Sequence, residues 1–145
     1  MIKNKENVQT NVVNQAKEEN PINDLIEKIK EKGGLKDLNL GELIKPNGYA
    51  YKISTKLKFS RVQLRKIFTE LKTVYVMYKN RIDEEQIKAR LYKLYPILQY
   101  QVNRKIIDND FKKLMWEILD SLERDLENFN NTIEFMEALV AYLKE

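Results

Sequence analysis

Four cations, Arg61, Arg65, Lys72 and Lys79, recur along one stretch at spacings of four and seven residues. At 100° per residue on a helix they fall within about 40° of one another, with no acidic side chain among them. A solvated helix face usually alternates charge signs, so an unmixed edge points to an anionic partner, and a row of phosphates suits such a row of cations. Lys88, Arg90, Lys93, Arg104 and Lys105 follow as a second tier whose facing the sequence does not fix, because Pro96 lies among them. Tyr49, Tyr51, Tyr92, Tyr95 and Tyr100 are interleaved with further Lys and Arg, a mixture that suits stacking of unpaired bases. Tyrosine in an amphipathic helix is more often a core residue with its hydroxyl at the rim, so the cations carry more of the argument.

The residue types that are missing exclude much else. The chain of 145 residues has no Cys and no His. Disulfides, thiolate or imidazole metal sites, and Ser-His-Asp or Cys-His catalysis are therefore closed to it. Carboxylate pairs remain, such as Asp108 with Asp110, or Glu123 with Asp125 and Glu127. These sit where helix termini and solvated faces use acidic residues, and we read them so rather than as metal or acid-base sites. The sequence around Gly33-Gly34 is the nearest approach to a phosphate loop, but it follows a helical pattern and reads as a terminator. We expect no enzyme activity, no metal and no cofactor. No apolar run is long enough to span a bilayer and the first twenty residues lack a signal peptide's apolar segment, so we expect a cytoplasmic protein without membrane contact.

Charge is unevenly placed. Residues 59–105 carry 11 basic and 4 acidic side chains, a net +7, whereas residues 106–145 carry 4 basic and 10 acidic, a net −6. A basic middle favours a polyanion, and a polarised chain favours head-to-tail contact between identical neighbours.

The elements that hold these residues follow from periodicity and caps. Residues 1–20 are polar without a sustained period and are expected to form a mobile tail; residues 21–145 read as a single helical domain. Asn20 and Pro21 open a first helix that Gly33-Gly34 close. Around Leu38–Ile44 a turn or two of helix fits, then Pro46, Asn47 and Gly48 mark a turn. Tyr49, Tyr51 and Ile53 alternate with polar residues, the pattern of a short extended piece. Ser60 with Gln63 forms a capping box, and Leu64, Ile67, Phe68, Leu71, Tyr75 and Tyr78 give the next helix its apolar stripe. Asp83 with Gln86 predicts a second box and a helix that Pro96 bends or divides near Tyr95. Asp108 or Asn109 caps the helix containing Phe111, Leu114, Met115, Ile118, Leu119 and Leu122, and Asn130 or Asn131 caps the last. The fold expected is all-α, a compact bundle of about five helices.

Three segments resemble one family. Gln63-Leu64-Arg65 with Tyr75 and Tyr78, then Pro96-Ile97-Leu98-Gln99-Tyr100 with Arg104, then Phe135-Met136-Glu137-Ala138-Leu139-Val140-Ala141-Tyr142 are similar, in order, to the small subunit of the type III-A CRISPR effector, the Csm complex. Gln99, Val102 and Leu143 depart from that pattern. The resemblance implies a non-catalytic helical subunit of an RNA-guided ribonucleoprotein in antiviral defence. It also implies several copies lining the channel for target RNA and its duplex with the CRISPR guide RNA, beside the large and backbone subunits of the complex. The rival expectation is a helical protein-protein interaction module with no direct nucleic-acid contact, its basic edge meeting an acidic partner.

Overall fold

The computed structural model describes residues 20–144, and in chain order it places α1 (Pro21–Lys32), a 3-10 turn (Leu35–Asp37), α2 (Leu40–Ile44), α3 (Tyr49–Ser54), α4 (Arg61–Lys79), α5 (Glu84–Asn103), α6 (Asn109–Arg124), a second 3-10 turn (Leu126–Asn128) and α7 (Phe129–Tyr142). No strand occurs among the described residues, and no described helix is long and apolar enough to cross a membrane. The expected mobile tail falls, apart from Asn20, outside the described residues.

Local sequence explains most boundaries. The Asn20 side chain accepts from the Asn23 amide at 3.2 Å, and Pro21 occupies the first turn, where its missing N–H costs nothing. Gly33 ends α1 in the left-handed region, φ 90°, with its N–H donated to Ile29 O at 2.7 Å. The Ser60 hydroxyl accepts from the Gln63 amide at 3.2 Å to start α4, and Phe59 before it packs against Phe111 of α6, ring centroids 5.1 Å apart. Arg81 and Lys105 adopt φ 57° and 59° after the two longest helices. There the Ile82 and Ile106 amides reach back to Met77 O and Gln101 O at 3.1 and 2.9 Å, closing both helices with backbone bonds.

The helices pack in three layers. The antiparallel pair α4 and α5 lies on α7 and α6 respectively, and α1 and α3 cover the other side of α6 and α7. Each helix of the middle layer buries one broad apolar face. Phe111, Leu114, Met115, Ile118, Leu119 and Leu122 are all buried on α6, as are Phe129, Phe135, Met136 and Leu139 on α7.

Three sequence expectations require correction. Tyr49–Ser54 is helical rather than extended. Ala50 and Ile53 are buried while Tyr51 sets its ring edge-on against Tyr142, so contact with α7 decides the segment, not its local alternation. Pro96 does not divide its helix: α5 runs continuously from Glu84 to Asn103. Clamping from α6 holds the proline turn, since Trp116 Nε1 donates to Tyr95 O at 3.2 Å and the Tyr95 hydroxyl donates to Asp120 at 2.6 Å. The last helix is not capped by Asn130 or Asn131; it begins at Phe129, directly after a 3-10 turn. Those two side chains bond other elements instead, Asn131 Nδ2 donating to Leu35 O at 2.9 Å and Asn130 Oδ1 accepting from the Tyr75 hydroxyl at 2.9 Å. The predicted caps at Asp83 and Asp108 hold as positions, but neither side chain bonds its own helix; Asp108 accepts from the Lys58 amide at 3.1 Å.

Asn128 is the polar centre of this packing. It is fully buried, and its Oδ1 accepts from the Lys36 amide while its Nδ2 donates to Ser121 O and Asp125 O, each at 3.0 Å. A Cβ on Gly34 would lie 2.1 Å from that Oδ1, so residue 34 must be glycine for the amide to fit. Replacing Asn128 by Ala strands one backbone donor and opens a cavity, with a cost of about 2–4 kcal/mol. Urea unfolding of Asn128→Ala is expected to show a lower midpoint with unchanged slope.

Candidate nucleic-acid interface

The basic residues lie mainly on the outer layer, the α4–α5 pair. Burial of Leu64, Ile67, Leu71 and Val74 fixes the rotation of α4 and leaves Arg65, Lys72 and Lys79 exposed along one edge. Successive members are two turns apart, about 10.5 Å along the axis, so each would meet a separate anionic group of an extended ligand. Lys72 Nζ and Lys79 Nζ each lie 5.6 Å from the ring centroid of an aromatic one turn earlier, Phe68 and Tyr75. Their stems thus run over apolar surface with the ammonium groups outward. Among the described residues no carboxylate lies within ion-pair distance of these three.

Arg61 shares the edge but not the role of its neighbours. Its guanidinium Nη2 donates to the backbone carbonyl of Leu143, just past the end of α7. That carbonyl sits near the negative end of the helix dipole, where a cation is favoured. Arg61 therefore fastens the start of α4 to the end of the last helix.

The second tier divides by rotation about α5. Lys88 pairs with Glu84 at 3.1 Å, a contact that raises the Lys88 pKa. It shares its flank with Tyr92, Tyr95 and Gln99, which bond Glu123, Asp120 and Lys112 of α6 at 3.2, 2.6 and 3.0 Å. Arg90 and Lys93 lie roughly opposite, exposed and without an ion-pair partner among the described residues. Arg104 donates to the Tyr100 hydroxyl at 3.1 Å and lies 5.6 Å from that ring's centroid, beyond the end of α5. Lys105 follows in the left-handed turn, also exposed. The structure thus joins Arg65, Lys72 and Lys79 into one row, keeps Arg90, Lys93, Arg104 and Lys105 exposed elsewhere on the layer, and engages Arg61 and Lys88 internally.

The tyrosines separate as sharply. Burial and the Asp120 carboxylate push the Tyr95 hydroxyl far above the usual tyrosine range, as expected of a donor held between helices. Tyr92 faces the same way. Tyr100, 58 % exposed and flanked by Arg104, combines an exposed ring with a neighbouring cation.

Lys66 was missed by reasoning from the sequence because it lies about 100° from Arg65 and off the shared edge. It lines, with Arg65, an open groove of about 720 Å³ between the first half of α4 and the second half of α5. Only its neighbour's assignment could have drawn attention to it. Lys112 is the opposite case: a cation only 8 % exposed, its Nζ 4.1 Å from the Trp116 ring centroid and bonded to Gln99. It braces α6 against α5. No group of three carboxylates gathers among the described residues.

These roles predict opposite responses to mutation. Arg61→Ala is expected to lower stability by about 1–3 kcal/mol through the lost charge-assisted bond, while Arg65→Ala, Lys72→Ala and Lys79→Ala each stay within about 0.5 kcal/mol of the parent. Thermal melts of the four single variants check this; equal effects would contradict the division.

The family model described as Csm2 Type III-A matches residues 37–145, which takes in α2 through α7 and every basic residue of the two tiers. No curated protein and no solved structure matches the chain.

Proposed function

The chain belongs to the Csm2 type III-A family and so is a subunit of a type III-A CRISPR complex; within that complex we propose that it acts without catalysis, as a helical strut that contacts RNA through backbone phosphates. The row formed by Arg65, Lys72 and Lys79 carries this reading, because three exposed cations share one rigid edge with no carboxylate among them. Phosphate contact needs no base readout, and a subunit serving any guide must bind independently of sequence. Arg90, Lys93, Arg104 and Lys105 extend the basic surface of the same layer, and Tyr100 offers a stacking face beside Arg104. Arg61 supports the interface by fixing the start of α4 rather than by touching RNA, and Lys88 is engaged by Glu84 of its own helix.

Several copies would stack along the RNA, each beside the large and backbone subunits of the complex. The polarity of the chain supports this: the +7 lies on the outer α4–α5 layer, while the −6 belongs to α6, α7 and the turns beside them. Unlike patches on identical copies attract head to tail.

Three phosphate contacts on a single strand give a slope near −2 for log affinity against log salt, about a twentyfold loss between 50 and 200 mM. Arg65→Glu with Lys72→Glu is expected to flatten that slope by about 1–1.5 units, to weaken unrelated RNA sequences alike, and to leave the helical signal unchanged. Binding is to be measured on the assembled complex with the variant subunit replaced. Unaltered affinity and slope would remove this edge from the RNA path and favour a purely protein-binding module. Metal-dependent RNA loss from the isolated subunit, abolished by a carboxylate substitution, would contradict the absence of catalysis.

A further inference from the structure

Asn47 is the single asparagine of the chain that precedes a glycine. The fold favours the first residue and requires the second. The Gly48 N–H donates to Lys45 O at 2.8 Å and closes a turn with Pro46 second and Asn47 third, the residue order of a type II turn. Such a turn needs a left-handed third residue, and Asn47 has φ 70°, which asparagine tolerates better than most residues with a side chain. Position 48 has no room for a side chain, since a Cβ there would lie 2.5 Å from Glu42 O and 2.9 Å from Lys45 O. Asn47 itself is exposed. The turn thus sets an open carboxamide next to a backbone nitrogen that no side chain shields.

That pairing has a chemistry of its own. The Gly48 nitrogen can attack Asn47 Cγ: an N–Cγ bond forms, the Cγ–Nδ2 bond breaks, and Nδ2 leaves as ammonia carrying the amide proton. Water then opens the cyclic imide, at Cγ to give aspartate or at the main-chain carbonyl to give isoaspartate. The imide nitrogen bears no proton, so the bond to Lys45 O must break before the ring forms, and the closed turn shelters the site. What keeps the turn closed is the seating of α3. Gly48 O accepts from the Lys52 amide at 3.0 Å, Ala50 and Ile53 are buried, and the Tyr51 ring centroid lies 5.4 Å from that of Tyr142 on α7. A helix of six residues without a side-chain cap opens at a small cost beside that of unfolding the domain. We propose that Asn47-Gly48 is a site of spontaneous modification, sheltered while α3 is seated on α7 and converted to aspartate or isoaspartate when α3 lifts. The two products differ in consequence. Aspartate keeps the main chain and adds a negative charge ahead of the amino terminus of α3, where the helix dipole favours it. Isoaspartate routes the main chain through Cβ, and the added methylene displaces Gly48 from its place against Glu42 O and Lys45 O, so α3 cannot reseat. The row at 65, 72 and 79 belongs to the opposite layer, and the site is independent of the RNA reading.

The test is to hold the full-length chain at mildly alkaline pH and follow loss of the Asn47 amide by peptide mass spectrometry. Conversion is expected to be about tenfold or more faster in guanidinium chloride than in native buffer. Asn80 and Asn103, each followed by arginine, are internal references that should convert far more slowly under both conditions. Tyr51→Ala, which loosens α3 without touching the turn, should raise the native rate severalfold and leave the rate in denaturant unchanged. Asn128→Ala, which weakens the domain at the other end of α7, should leave the native rate near the parent's. Chains carrying isoaspartate at 47 should melt below the parent, whereas Asn47→Asp should match it. Equal rates with and without denaturant would overturn the sheltering by the turn, and conversion in denaturant no faster than at Asn80 and Asn103 would overturn the site itself. A native rate unmoved by Tyr51→Ala, or raised as much by Asn128→Ala, would overturn the lifting of α3 as the gate in favour of unfolding of the whole domain.

Discussion

The buried amide of Asn128 is the constraint around which the other helices are arranged. A side-chain amide removed from water must satisfy both its oxygen and its nitrogen, and here those partners come from two distant parts of the chain, the segment after α1 and the last turn of α6 with the residue that follows it. Lys36, Gly34 and Leu35 are thereby held against Asp125, Ser121 and Asn131. The exposed Lys36–Asp125 ion pair beside it raises the lysine pKa and lowers the carboxylate's through their hydrogen bond, but it closes the rim of the junction more than it stabilises it. With α1 fixed on α6, and α3 and α4 on α7, the outer layer has one way to lie.

The same economy of polar groups shapes the electrostatics. Many acidic side chains of the carboxyl-terminal half are acceptors within the fold: Asp120 and Glu123 for tyrosine hydroxyls of α5, Asp108 for a backbone amide before α4, Asp125 for Lys36. Each of these bonds holds its carboxylate at a junction between elements, out of ion-pair reach of the row at 65, 72 and 79. The cations at 65, 72 and 79 remain without carboxylate partners while the acids are occupied elsewhere, and the apolar stripe of α4 settles their common direction.

How much of this was legible in the sequence depended on whether the deciding contact was local. Caps and spacing gave the long helices with their starts at Pro21 and Arg61, since Asn20 and Ser60 bond the amides of their own first turns. Pro96 and Tyr49–Ser54 were misjudged because contact with α6 and α7 overrides local preference, and no pattern within either segment announces its partner. Asn130 and Asn131 have the chemistry of caps but use it on other elements, a choice visible only when those elements are adjacent. The basic edge was readable because it needs only the angle between residues of one helix. Arg61's attachment to a carbonyl 82 residues away was not, and the groove, which exists only between helices, left no trace in the sequence.

The packing of α1 against α6 also sets an order of events during synthesis. Their partner surfaces are separated by some ninety residues of chain, so the first helix leaves the ribosome with Leu25 and Ile29 exposed and nothing to bury them. The α4–α5 pair can meet across its short turn long before α6 and α7 arrive to receive it. Closure of the domain therefore waits for its last quarter, and a nascent chain stalled before Asn128 would present two unfinished apolar surfaces for chaperones or identical chains to seize.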